Sequence, residues 1–93
     1  MASSGQTTVT TAGTEVRLAT SQPCKGSVYI KALSTNTGIV YVGNDGADAV
    51  SSTSGYPLSA GDQIVLEEIE NLNQLWVDAS VSGEKVAWLL GKP

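Results

Sequence analysis

The chain has no histidine and a single cysteine, Cys24, among its 93 residues. Those two shortages remove most familiar chemistry. Without an imidazole there is no general base of the usual kind to activate the Cys24 thiol or a serine hydroxyl. The serines and threonines stand in neither a Gly-x-Ser-x-Gly elbow nor a Ser-x-x-Lys frame. No pair of carboxylates falls into a recognisable catalytic spacing. The expectation is a protein that is not an enzyme, with no catalytic residue, no cofactor and no metal. One cysteine also cannot close an intrachain disulfide, so no covalent staple supports the fold and nothing marks an oxidising compartment.

Basic residues are scarce too. Five Lys and Arg face nine Asp and Glu, for a net charge of −4 and a pI near 4.4. Phosphate contacts need clustered Lys and Arg, so a nucleic acid is not the expected partner. No stretch approaches the roughly 18 consecutive apolar residues of a membrane helix. Residues 1–11 show neither the basic nor the apolar region of a secretory signal. These features predict a protein made in a cytoplasm, without a membrane partner. Charge is also uneven along the chain: residues 1–46 sum to +1 and residues 47–93 to −5.

The remaining sequence is patterned for β-structure. Apolar runs at 28–33, 39–42, 64–66, 75–79 and 86–90 are short, rich in Val, Ile, Leu, Tyr and Trp, and cut by glycine-bearing turns. Within them Val28, Ile30 and Ala32 share one face, as do Leu75, Val77 and Ala79. Segments 7–11 and 15–18 read as two weak edge strands around Gly13. The turn Ser34-Thr35-Asn36-Thr37-Gly38 predicts a hairpin over residues 28–42. Residues 67–73 form an acidic connection with room for a single helical turn. The sum is about eight strands with turns every 8–12 residues. That pattern predicts an all-β fold, a small sandwich or barrel with jelly-roll wiring. Residues 1–11 are expected to be a flexible N-terminal arm and 12–93 a single β-sandwich domain.

Three features are candidates for function. Asn44-Asp45-Gly46-Ala47-Asp48 gathers oxygen ligands suited to a hard cation, but its glycine comes too early for a calcium loop and no closing glutamate follows, so a tight turn is the expectation. Tyr41, Tyr56, Trp76 and Trp88 are candidates for a stacking platform, with Tyr41 and Trp76 placed opposite the expected core and Trp88 within it. The last strand carries Val86, Trp88 and Leu90 on one face and Ala87 and Leu89 on the other. It therefore reads as covered on both sides, and in so small a domain another subunit is an expected second cover.

A longer pattern runs through these elements. Tyr41-Val42-Gly43 is followed by Gly55-Tyr56-Pro57-Leu58-Ser59-Ala60-Gly61, then by Leu72-Asn73-Gln74-Leu75-Trp76-Val77 and finally by Val86-Ala87-Trp88-Leu89. In this order the chain, over roughly residues 15–90, resembles small structural proteins of tailed-bacteriophage virions, of the capsid decoration or cement type. The resemblance implies a protein of the phage head surface whose partner is the major capsid protein. It also implies a homo-oligomer, most simply a trimer. Neck, tail or fibre accessory proteins share such patterns, and a carbohydrate-binding module is the alternative from another class.

Overall fold

A computed structural model describes residues 3–43, 55–67 and 69–92. Alternation decides which side of each strand faces inward. In β3 (Lys25–Ala32), Val28, Ile30 and Ala32 are fully buried while Tyr29 and Lys31 between them are exposed. In β7 (Trp76–Ala79), Val77 and Ala79 are buried, with Leu75 just before the strand. Both sets are those expected from the period-two pattern. The other strands are β1 (Ser3–Val9), β2 (Val16–Arg17), β4 (Val40–Gly43), β5 (Tyr56–Leu58), β6 (Gln63–Leu66) and β8 (Glu84–Lys92). The helical turn expected in the acidic connection is a 3-10 turn, Leu72–Gln74. Asn71 and Gln74 cap it reciprocally: Asn71 Oδ1 accepts from Asn73 N–H at 2.9 Å, and Gln74 Oε1 accepts from Asn71 N–H at 3.2 Å.

The protein is all-β among its described residues, built as two four-stranded antiparallel sheets. One has the order β1-β8-β3-β6 and the other β2-β7-β4-β5. The pairs β1:β8, β2:β7, β3:β6 and β4:β5 nest like the two arms of one long folded hairpin, and β8:β3 and β7:β4 join them into sheets. Buried side chains of both sheets form one aliphatic core, from Val9, Val28, Ile30, Val86 and Leu90 on one side to Val40, Leu58, Leu75 and Val77 on the other. Burial of each such side chain stabilises by roughly 1.5–3 kcal/mol.

Two expectations are corrected. Residues 28–42 do not form a hairpin, because β3 and β4 belong to different sheets. The turn residues between them act as a crossover anchored on β8. Asn36 Nδ2 donates to the Lys85 carbonyl at 2.8 Å while Lys85 N–H donates to Asn36 Oδ1 at 3.1 Å, so this side chain stands in for a strand neighbour. Glu84 completes the anchor: its Oε1 accepts from Thr37 N–H at 2.9 Å, from the Thr37 hydroxyl at 3.1 Å and from Gly38 N–H.

Residues 1–11, expected as a flexible arm, are instead sheet over most of their length. Ser3–Val9 pairs with β8 in unbroken register from Ser3 opposite Leu90 to Val9 opposite Glu84, and Val9 is fully buried. The strand has few apolar residues because Ser3, Gly5 and Thr7 occupy its inner positions and Trp88 from β8 supplies the bulk. The expected edge positions hold: β1 ends one sheet and β2 the other.

Candidate functional site

Cys24 is buried, and its Sγ donates to the Ile69 carbonyl at 3.0 Å. Burial pushes its pKa above the ordinary 9.0, which keeps the thiol protonated and unreactive. The segment Asn44 to Asp48 lies outside the described residues. Among the described residues, no three His, Cys, Asp or Glu side chains gather in a way that could hold a metal ion.

Among the described residues three carboxylates are buried: Glu15, Asp78 and Glu84. Glu84 anchors the β3–β4 crossover as described. Asp78 Oδ1 accepts from Gly13 N–H at 3.0 Å and from Ala79 N–H at 2.7 Å, which ties the loop after β1 to β7. Glu15 is 8% exposed and neither of its carboxylate oxygens has a hydrogen-bond partner.

Of the aromatic candidates, Trp76 and Tyr41 lie on the outer face of the second sheet, diagonal to each other on neighbouring strands and two residues apart in register. Both are half-buried, and the Arg17 guanidinium carbon sits 5.0 Å from the Trp76 ring centroid. That cation–π contact occupies ring area that a stacked sugar or base would need. Tyr56 is exposed, at the mouth of an apolar hollow between the edges of β5 and β6. Trp88 points inward as expected but is only half-buried, packed against Gly5 at the β1 edge. The structure therefore does not gather the four into one platform.

It gathers a different set, on the outer face of the first sheet. Leu89 lies opposite Tyr29, and Tyr29 opposite Val65, so that three strands place an apolar row side by side. Their exposures are 49%, 41% and 47%, among the largest of any hydrophobic residue described. In an isolated chain the second side of β8 is thus open at Leu89, and no part of the described chain covers it. On one flank the next row holds Gln6, Ala87, Lys31 and Gln63. On the other, Glu67 accepts a weak 3.4 Å bond from the Ser27 hydroxyl. The apolar row is therefore bordered by a cation on one side and an anion on the other.

The apolar second face of β8 was visible in the sequence as Ala87 and Leu89. Tyr29 and Val65 were not assignable to the same patch, because only the strand order places residues 29, 65 and 89 in one row. In comparisons with protein-family models, with curated proteins and with solved structures, nothing matches this chain.

Proposed function

We propose that the chain is a structural protein of a tailed-phage virion that decorates and stabilises the head by binding the capsid's outer surface. The observation that carries this reading is the exposed row Leu89, Tyr29 and Val65 on a β-domain whose sequence holds no recognisable catalytic frame. Apolar side chains lined up on one sheet face mark an assembly surface rather than a site of chemistry. The wiring supports it further. We read the nested strand pairs and the orders 1-8-3-6 and 2-7-4-5 as an eight-stranded jelly roll folded as a two-sheet sandwich, an architecture used by viral capsid and lectin domains. The sequence motifs that resemble decoration proteins fall on its strands and turns.

The physical action needs no catalysis. A protein that binds only the expanded lattice stabilises that state by mass action. Many copies of a weak contact add through multivalency. The partner in this reading is the major capsid protein, and the protein works as a homo-oligomer on the head surface after synthesis in the host cytoplasm. The N-terminal residues have no part as a free arm, since β1 is committed to the sheet.

Electron microscopy of purified virions labelled with an antibody against this chain tests the proposal. Label spread over the head is the expected result. Label confined to the neck, tail or fibres would move the function to an accessory role there, and unlabelled virions would overturn the virion assignment.

A further inference from the structure

The row Leu89, Tyr29 and Val65 lies between two opposite charges, and that arrangement suggests its occupant. On β6, Gln63 precedes Val65 by two residues, Glu67 follows it just past the strand's end with its carboxylate beside the Ser27 hydroxyl, and Lys31 of β3 lies opposite Gln63. Lys31 and Glu67 are both exposed. We propose that the outer face of the first sheet binds a second copy of this chain, face to face, about a two-fold axis that runs across the strands through the apolar row. This rests on the reading of that face as an assembly surface and deepens it by assigning the face to contact between copies. Capsid contacts then fall to other faces of the chain, and a two-fold pair takes the place of the trimer the resemblance implies.

Two in-plane axes could pair this face with itself. An axis parallel to the strands keeps each row over its own copy, setting Lys31 at the same level as Lys31 and Glu67 at the same level as Glu67. An axis perpendicular to the strands exchanges the flanking rows. It leaves the apolar row over itself and brings Glu67 over the partner's Gln63 position, one strand spacing of about 4.8 Å from the partner's Lys31. By symmetry the contact forms twice. Charge complementarity thus selects one of the two dimers, the general means by which polar groups fix the register of an interface. Within the patch the two charges cancel, so the net −4 of the chain is carried elsewhere and does not oppose contact at the centre.

The size of the face sets the strength. Two outward rows across all four strands, with Ser27 and Glu67 beyond them, make a patch of at most roughly 20 by 20 Å, so a pair buries on the order of 800 Å², below the standard range for stable complexes. The pair is accordingly weak in free solution. It becomes effective when copies are held close together on a lattice.

Sedimentation equilibrium of the full chain from about 10 µM to about 1 mM, a range suited to weak pairing, tests the inference. The wild type should show a monomer–dimer equilibrium. V65D/L89D should be monomeric throughout; both sites are exposed, and an unchanged circular dichroism spectrum and melting temperature would show that the fold is intact. K31E and E67K should each weaken the dimer by on the order of tenfold, since each turns two attractions into repulsions. The double exchange K31E/E67K should return the dissociation constant to within about threefold of wild type. A wild-type monomer at all concentrations, a trimer, or a double exchange that stays weak would overturn the proposal. Virion labelling is read independently, so a labelled head with a monomeric protein removes the self-pairing alone, and a dimer without labelled virions removes the capsid assignment alone.

Discussion

Gly5 and Trp88 face each other across the β1–β8 ladder, and the indole occupies the volume a side chain at residue 5 would need. A Cβ built on Gly5 would lie 2.5 Å from Trp88 Cζ2 and 2.8 Å from Cε2. The glycine is there for space, since its backbone is not among the positive-φ glycines.

Gly5→Ala therefore sets two effects against each other. Removing a glycine from a strand should gain roughly 0.5–1 kcal/mol by propensity, while displacing the ring from its packed position should cost roughly 1–3 kcal/mol. Packing should win. Thermal unfolding is expected to shift several degrees lower, with a change in tryptophan emission as Trp88 moves. A rise in melting temperature would show that the ring adapts freely.

Deletion of residues 1–9 should be strongly destabilising. The sequence suggested the opposite, because an uncored polar leader buries little. The structure removes with it a buried Val9, the pairing of β8 along seven residues and the cover on Trp88. Loss of one buried valine alone costs roughly 1.5–3 kcal/mol, and in a domain of this size that lowers the melting temperature by about 6–24 °C. A truncated domain that melts with the full chain would restore the arm.

The contrast between these two readings shows what was legible. Val28, Ile30 and Ala32 or Leu75, Val77 and Ala79 declare their inner face by alternation, which is local. Strand β1 does not, because the group that fills its inner side sits 83 positions away in the chain, at Trp88 opposite Gly5. The hairpin expected at 28–42 failed for the same reason. Its turn residues are real turn formers, but Asn36 and Thr37 spend their hydrogen bonds on Lys85 and Glu84 of β8 rather than on a returning strand. The apolar row Leu89, Tyr29 and Val65 is likewise a product of strand order. One of its members was marked by its own strand, and the other two needed the register.

Glu84→Ala should cost about 2–3 kcal/mol, read as a lower urea midpoint with unchanged slope. Its carboxylate serves three donors at the β3–β4 crossover, and alanine would leave them without that acceptor in a partly buried site. Glu84→Gln keeps one acceptor oxygen and should cost less. Equal losses from the two variants would mean that the charge, not the acceptor, holds the crossover.

Stability should fall above about pH 9 through Cys24. Its folded pKa is raised above 9.0 by burial. Below 9.0 the thiol is protonated in folded and unfolded chains alike, so it adds no pH dependence. Above 9.0 the unfolded chain releases the proton first, the unfolded state gains, and stability declines until pH passes the folded value, with a limiting slope of about 1.4 kcal/mol per pH unit. Cys24→Ala should lack this component while being weaker at neutral pH, having lost the 3.0 Å bond to Ile69. Parallel alkaline limbs in the two proteins would assign the decline to other groups.

Glu15 offers the opposite outcome, a substitution that stabilises. Its two carboxylate oxygens are buried without a hydrogen-bond partner, and a charge in that position has given up hydration with nothing in exchange. Methionine has nearly the same length and shape and no polar atom to satisfy. Glu15→Met should therefore raise stability by about 1–3 kcal/mol in urea unfolding at pH 7. Aspartate offers no such relief, because it keeps the charge and shortens the chain, so Glu15→Asp should be no more stable than wild type. If the methionine variant is instead weaker, the carboxylate has a partner when the protein is in solution, and a water or cation bound at Glu15 becomes the feature to locate.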